Sequence, residues 1–156
     1  MKKLEIIELN NAIDSAKELQ GSAKFRYALL RNRDKIAPEI KRLKEIEEGY
    51  MEGIKAFSEE KNKLIIKLGK DNGSGMISID QNDKEGVEKF KTEILDIQKK
   101  HKNELDEFDK NMKEYQTTVL EEELEDVPTF YEIPIENVPD NLPEKILEVL
   151  FKFGII

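Results

Sequence analysis

Apolar positions along the chain form two long stripes with helical spacing. The first stripe consists of Ile36, Ile40, Leu43, Ile46, Tyr50, Ile54, Phe57, Leu64 and Leu68. The second consists of Val87, Phe90, Ile94, Ile97, His101, Leu105, Phe108, Met112, Tyr115 and Val119. Steps of three and four residues are typical of an amphipathic helix that packs a narrow seam against another helix. The pattern predicts two long helices, over 22–68 and 84–124.

The segment between the two stripes is rich in turn residues. It contains Gly69, Gly73 and Gly75 around an Asp-Asn pair, a composition that favours a tight turn, and 76–79 then predicts a short strand. Because the two stripes are equally long and joined by this short connection, we expect an antiparallel α-helical hairpin with coiled-coil-like packing. Pro38 predicts a kink in the first helix.

The two ends of the chain predict a small additional layer. Residues 3–9 mix alternating and β-branched positions that indicate a strand, and a helical turn follows from Asn10. Near the other end, 129–135 predicts a strand restricted by Pro134, and a helix starts at Pro143. The predicted fold is therefore mainly α: the long hairpin with a small β/α cap formed by both termini. We expect one elongated domain over 1–156, divided into 1–21, 22–68, 69–83, 84–124 and 127–156.

Composition narrows the functional classes. Charged residues and hydrophobic residues each make up 38% of the chain, which predicts a thin core and argues against a compact α/β enzyme. The net charge of −8 argues against binding of polymeric nucleic acid. With no Cys and one His, the chain lacks thiolate metal ligands and a His-based nucleophile system. We expect a non-enzymatic cytoplasmic protein with no metal, no cofactor and no membrane contact.

One basic cluster stands out from this acidic background. Residues 22–44 contain eight basic and two acidic side chains, a local charge of +6. Lys24, Tyr27 and Arg31 follow each other at helical steps, so cations and an aromatic face could grip a phosphate and stack on a base. The candidate ligand-binding residues are Lys24, Arg26, Tyr27, Arg31, Asn32 and Arg33. The alternative is a solvated helix face, or an electrostatic partner for the acidic stretch 104–126.

Three short patches carry a resemblance to a known group of proteins. They are 24–29 followed by Arg31-Asn32, then 130–135, and then 142–146 ahead of the final Ile-Ile. With the long charged hairpin between them, the chain resembles a family of small uncharacterised proteins encoded by phages and prophages of low-GC Gram-positive bacteria. The resemblance implies a phage protein in the host cytoplasm, acting in morphogenesis or in host takeover. It implies no activity.

We expect a homo-oligomer, because two thin seams leave apolar side chains uncovered. Two functional hypotheses follow. In the first, the basic cluster sequesters a small anionic nucleotide, such as an immune signal of an antiphage system. In the second, the hairpin is a protein–protein interaction factor that binds a phage or host protein, as an assembly chaperone, accessory factor or inhibitor does.

Overall fold

The structure is a computed structural model that describes residues 1–19 and 21–156; Gln20, in the predicted segment 1–21, lies outside the described residues. It confirms a mainly α fold. The helices are α1 (Lys3–Lys17), α2 (Ala23–Gly53), α3 (Lys55–Leu68), α4 (Lys84–Lys100), α5 (Lys102–Thr117) and α6 (Glu144–Lys152). The strands are β1 (Lys70–Asp71) and β2 (Ile77–Ser78). The chain divides into two compact units, Met1–Ile46 with Glu114–Ile156, and Glu47–Lys113, and each is described by itself.

The first unit is built around the buried face of α1. Ile6, Leu9 and Ile13 are at most 1% exposed, and their steps of three and four place them on one side of the helix. The predicted strand over 3–9 is therefore wrong, because these side chains reach the core with helical spacing. Helix α6 packs against α1. The core consists of Ile6, Leu9, Ile13, Ala16, Phe25, Leu29, Ile36, Ile133, Leu150 and Ile155.

Hydrogen bonds and ion pairs connect the amino-terminal residues to the acidic run 121–123. The Lys3 N–H donates to the Glu122 carbonyl at 3.0 Å, and the Leu124 N–H donates to the Met1 carbonyl at 2.9 Å. The side chains of Glu121, Glu122 and Glu123 form ion pairs with Lys2, Lys3 and the amino terminus. These three acids therefore have their cations at the start of the chain rather than in the basic cluster of α2.

The predicted strand over 129–135 is also wrong. Residues 127–134 have no regular secondary structure, and a 3₁₀ turn covers Ile135–Asn137. Pro128 and Pro134 lack backbone donors, so this segment offers a poor ladder to a neighbouring strand. Its backbone is bound instead by single contacts, such as the Ile133 N–H that donates to the Ile155 carbonyl at 2.6 Å. The cap over the core is thus helical, with an irregular segment in place of a strand.

The second unit contains an antiparallel pair of helices. Lys67 contacts Glu93 at 3.3 Å, and Lys100 forms an ion pair with Glu60 near the other end, so residue numbers rise along α3 as they fall along α4. β1 and β2 pair antiparallel in the connection. Gly73 and Gly75 there have φ of 88° and 80°, a conformation that a side chain would strain.

Both long helices differ from their predicted extents. The first is two helices: α2 runs through Pro38 without a break, and the boundary with α3 lies at Ile54, which has φ −111° and ψ 16°. Pro38 is exposed, and the helix carries on beyond its missing donor. The second predicted helix, 84–124, is interrupted at His101 and ends at Thr117. Buried His101 lies 3.3 Å from the Glu60 carboxylate, against the Phe57 ring.

The apolar seams are only partly covered. Within the second stripe, His101 and Tyr115 are buried, while the other members are half-buried. Large apolar side chains also lie open to solvent, with Ile66 and Leu95 60% and 54% exposed. The second unit therefore has the thin core that the composition predicts.

Candidate anion-binding surface on helix α2

The six predicted ligand-binding residues all lie in the first three turns of α2, but they do not share one face. Lys24, Tyr27 and Arg31 are exposed, and their steps of three and four place them on the same side of the helix. Arg26 is exposed, Arg33 is half-buried and Asn32 is completely buried. The structure thus brings three of the six together and separates the others.

Asn32 is a structural residue, which corrects its prediction as a ligand-binding residue. It continues the buried row of α2 formed by Phe25, Leu29 and Ile36, and its side chain has 0% exposure. The Asn32 Nδ2 group donates to the Tyr131 carbonyl at 2.9 Å, and the Tyr131 N–H donates to Asn32 Oδ1 at 2.7 Å. Both ends of the amide are satisfied by the backbone of the irregular segment. Asn32 therefore positions Tyr131 and offers nothing to a ligand.

Arg26 and Arg33 make contacts with the chain that precedes α2. The Arg26 Nη2 group donates to the Leu19 carbonyl at 3.2 Å. The Arg33 Nε group lies 3.4 Å from Asp14 Oδ1 on α1. Lys17, with Arg33 as a further cation, holds the pKa of the Asp14 carboxyl below its usual range. Arg33 therefore connects α2 to a carboxylate of α1, and Arg26 is bound to a backbone carbonyl that lies between the two helices.

Arg31 lies between two tyrosine rings. Its guanidinium carbon is 3.5 Å from the centroid of the Tyr131 ring and 5.7 Å from that of Tyr27. The Lys35 ammonium lies 4.1 Å from the Tyr131 ring centroid and donates to the Thr129 carbonyl. We call the set of Lys24, Tyr27, Arg31, Lys35 and Tyr131 the Arg31 surface. Cations held over aromatic faces are attracted by the negative face of the ring.

Two members of this surface were missed by the sequence analysis. Lys35 continues the steps of four from Tyr27 and Arg31, so the helical spacing could have included it. Tyr131 is 99 residues from Asn32 in the chain, and no local pattern relates the two. The sequence placed it only in the predicted strand 129–135 and in the patch that carries the resemblance. A nonlocal contact of this kind is formed by the tertiary fold alone.

The hydrogen-bonding capacity of Arg31 remains unused. Among the described residues, Arg31 has neither a hydrogen bond nor an ion pair, so the N–H groups of its guanidinium are open to solvent. Tyr27 is 63% exposed, which leaves its ring available for stacking. A planar guanidinium presents its donors in a fork that matches phosphate oxygens. The Arg31 surface therefore has the chemistry to bind a phosphate next to an aromatic ring.

A cavity that shares Lys35 with the Arg31 surface has a net negative lining. It has a volume of about 440 Å³. Its walls carry three basic side chains and five carboxylates, and the excess of carboxylates disfavours a phosphate. An anion is therefore expected on the open surface. No trio of His, Cys, Asp or Glu residues able to hold a metal ion occurs in the described part of the chain.

Known proteins add no functional information. Comparison with protein families, curated proteins and solved structures finds no match to this chain. The resemblance to small phage proteins therefore stays a prediction. Within residues 1–19 and 21–156, no helix has the length and apolar character needed to cross a membrane.

Proposed function

We propose that this protein is a non-enzymatic binding protein that takes a small phosphate-bearing ligand, a nucleotide, on the Arg31 surface. The observation that carries the proposal is the placement of Arg31. Its guanidinium lies 3.5 Å from the Tyr131 ring centroid, and its N–H groups make no hydrogen bond among the described residues. A side chain restrained in this way loses less rotamer freedom when an anion binds. Asn32 supports the arrangement because it holds the backbone of Tyr131.

The spacing of the surface fits a nucleotide. Lys24 and Arg31 are seven residues apart on one helix face, about 10 Å along the axis. Tyr27 lies between them and offers a ring for base stacking. In this arrangement Arg31 binds one phosphate in a bidentate manner and Lys24 contributes a second positive charge. The acidic remainder of the chain, which has a net charge of −8, opposes binding of long nucleic acids.

The phage resemblance supplies a biological setting for this proposal. A phage protein that binds a nucleotide stoichiometrically, without chemistry, would sequester a nucleotide signal of bacterial antiphage defence in the host cytoplasm. The protein would then act in proportion to its own concentration, because each copy removes a fixed number of signal molecules. This role needs affinity and abundance but no catalytic group.

Native mass spectrometry with a panel of linear and cyclic nucleotides tests the proposal. A retained nucleotide mass is expected for the unmodified protein, with a higher melting temperature in the presence of that nucleotide. Arg31→Ala should abolish both effects, and Tyr27→Ala should weaken them. Lys44→Ala is the matched control, because it removes one exposed positive charge from the same helix outside the Arg31 surface. The absence of binding across the panel, or equal losses in the Arg31 and Lys44 variants, would refute the proposal.

A second candidate function is supported by the partly covered seams. Phe90, Ile94 and Ile97 lie on one side of α4 and are only half-buried. Apolar rows of this kind are covered when a helix of another protein, or of a second copy, packs on them. This interaction factor would bind a phage or host protein and would give no nucleotide mass in the same experiment. Sedimentation of the purified protein over a concentration series would then report whether a second copy covers the seams.

A further inference from the structure

An open apolar groove lies between α6 and the segment that follows Tyr131. It has a volume of about 540 Å³, and its walls include Ile133, Ile135, Leu147 and Phe151. Ile135 and Phe151 are 70% and 72% exposed, although both are large apolar side chains. Leu150, the residue before Phe151, has 0% exposure and fills the core. Helix α6 is thus apolar on two faces, and the core covers only one of them.

The groove is bordered by carboxylates that lack partners. Two acidic residues, Glu132 and Glu148, line it directly. Among the described residues, neither of them forms an ion pair. Elsewhere in the same unit, acids such as Glu5 and Glu8 share a lysine, Lys152. The apolar groove therefore has an uncompensated negative border.

We propose that this groove binds an amphipathic helix of a partner protein, one that carries large apolar side chains flanked by Lys or Arg. The apolar side chains would occupy the space between Ile135, Leu147 and Phe151 at i, i+3, i+4 and i+7 spacing. Their basic neighbours would meet Glu132 and Glu148 at the border. Charge complementarity of this kind selects the partner and speeds association. The groove shares no residue with the Arg31 surface.

A second copy packed groove to groove is disfavoured by the same charges. A two-fold contact would bring Glu132 and Glu148 of one copy close to the same residues of the other. Like charges brought together at an interface are unfavourable. Lys145 is exposed on α6 but does not line the groove, and among the described residues it forms no ion pair with Glu132 or Glu148. An amphipathic helix with basic flanks complements both parts of the groove, because its apolar side chains cover the apolar walls and its cations pair with the acidic border.

Fluorescence anisotropy with a labelled synthetic peptide tests the proposal. The probe is a Leu/Lys/Ala helix of about four turns, with Leu at i, i+3, i+4 and i+7 and Lys beside them. The matched peptide has Glu in place of Lys. Saturable binding is expected for the Lys peptide alone, weakened at least about tenfold by Phe151→Ala. Glu148→Lys should also weaken it and should reduce its dependence on salt.

Two control variants separate the groove from general attraction to an acidic protein. Leu95→Ala removes an exposed apolar side chain from α4, and Glu107→Lys reverses an exposed charge on α5. Neither residue lines the groove, so both variants should bind the Lys peptide like the unmodified protein. Equal binding of the two peptides, or equal losses in the control variants, overturns the proposal. A dimer that Phe151→Ala converts to a monomer also overturns it, because a second copy then occupies the groove.

Discussion

Replacement of Asn32 by Ala is the sharpest test of how the Arg31 surface is assembled. Asn32 is completely buried, and its amide makes two hydrogen bonds, of 2.9 and 2.7 Å, with the backbone of Tyr131. No strand neighbour supports this part of the chain. The substitution therefore removes the partner of one backbone donor and one backbone acceptor in a single step.

The expected cost follows from these two bonds. Each hydrogen bond contributes about 0.5–1.5 kcal/mol net, and leaving its partner unsatisfied in a partly buried place adds to the loss. Tyr131 is 37% exposed, so water can reach part of its backbone once the segment opens, which limits this addition. We expect Asn32→Ala to lower the free energy of unfolding by about 2–3 kcal/mol. For a chain of this length the melting temperature should fall by about 4–12 °C.

Two further variants isolate the cause. Asn32→Leu leaves no cavity, because leucine is branched at the same carbon and is larger, so a loss similar to that of Asn32→Ala would identify the hydrogen bonds rather than a cavity as the source. Asn103→Ala is the surface control, because Asn103 is an exposed asparagine within helix α5. Its effect should stay within about 0.5 kcal/mol.

The assay combines a global and a local measurement. Urea unfolding followed by far-ultraviolet circular dichroism gives the free energy of unfolding, and it suits a chain that has no Trp. Hydrogen exchange at the Tyr131 amide reports the local contact, since Asn32 Oδ1 is its acceptor. Faster exchange at Tyr131 is expected in the Ala variant. An unchanged free energy with a still-protected Tyr131 amide would refute the structural role of Asn32.

Three other substitutions follow from the same physical reasoning. Gly49→Ala should stabilise α2 by about 0.5–1 kcal/mol, because a Cβ there meets no atom within 4 Å. At Gly69 a Cβ would lie 2.5 Å from a carbonyl oxygen, so Gly69→Ala should destabilise the protein. Urea titrations of equal slope compare the free energies of unfolding of the two variants. Leu150→Ala should cost about 2–5 kcal/mol, measured in the same way. A backbone N–H three residues earlier and the Lys152 ammonium hold the pKa of Glu5 below its usual range. Glu5 therefore adds stability above about pH 4.3 that is lost as the pH falls through its folded-state pKa, so the difference in melting temperature between wild type and Glu5→Gln should shrink from pH 7 towards pH 3.

Hydrophobic spacing predicted the helices better than their ends. The stripes over 36–68 and 87–119 identified the helical segments, but the interruptions at Ile54 and His101 were not foreseen. Both residues are buried, and a three-or-four spacing continues across a single distorted residue without a change. Pro38 does not end the helix, because a proline within a long helix removes one backbone donor while the turns on both sides continue.

The candidate site shows the same limit. Helical spacing correctly placed Lys24, Tyr27 and Arg31 on one exposed face. It could not separate Asn32 from them, because polar type alone does not reveal that a side chain faces the core. The buried row of Phe25, Leu29 and Ile36 contains the clue, since Asn32 falls at the step of three after Leu29.

The sequence by itself determined the helical class, the turn at 69–75 and the concentration of positive charge in 22–44, because each depends on residues close together in the chain. Only the tertiary structure decided that 3–9 is a helix and that 129–135 is not a strand, since core contacts and the Asn32 amide compete with local preference there. The same packing placed the Tyr131 ring over Arg31, and it left the Phe151 face of α6 open to solvent. These arrangements join residues about a hundred positions apart or depend on which helix face the core covers, and no local pattern encodes either.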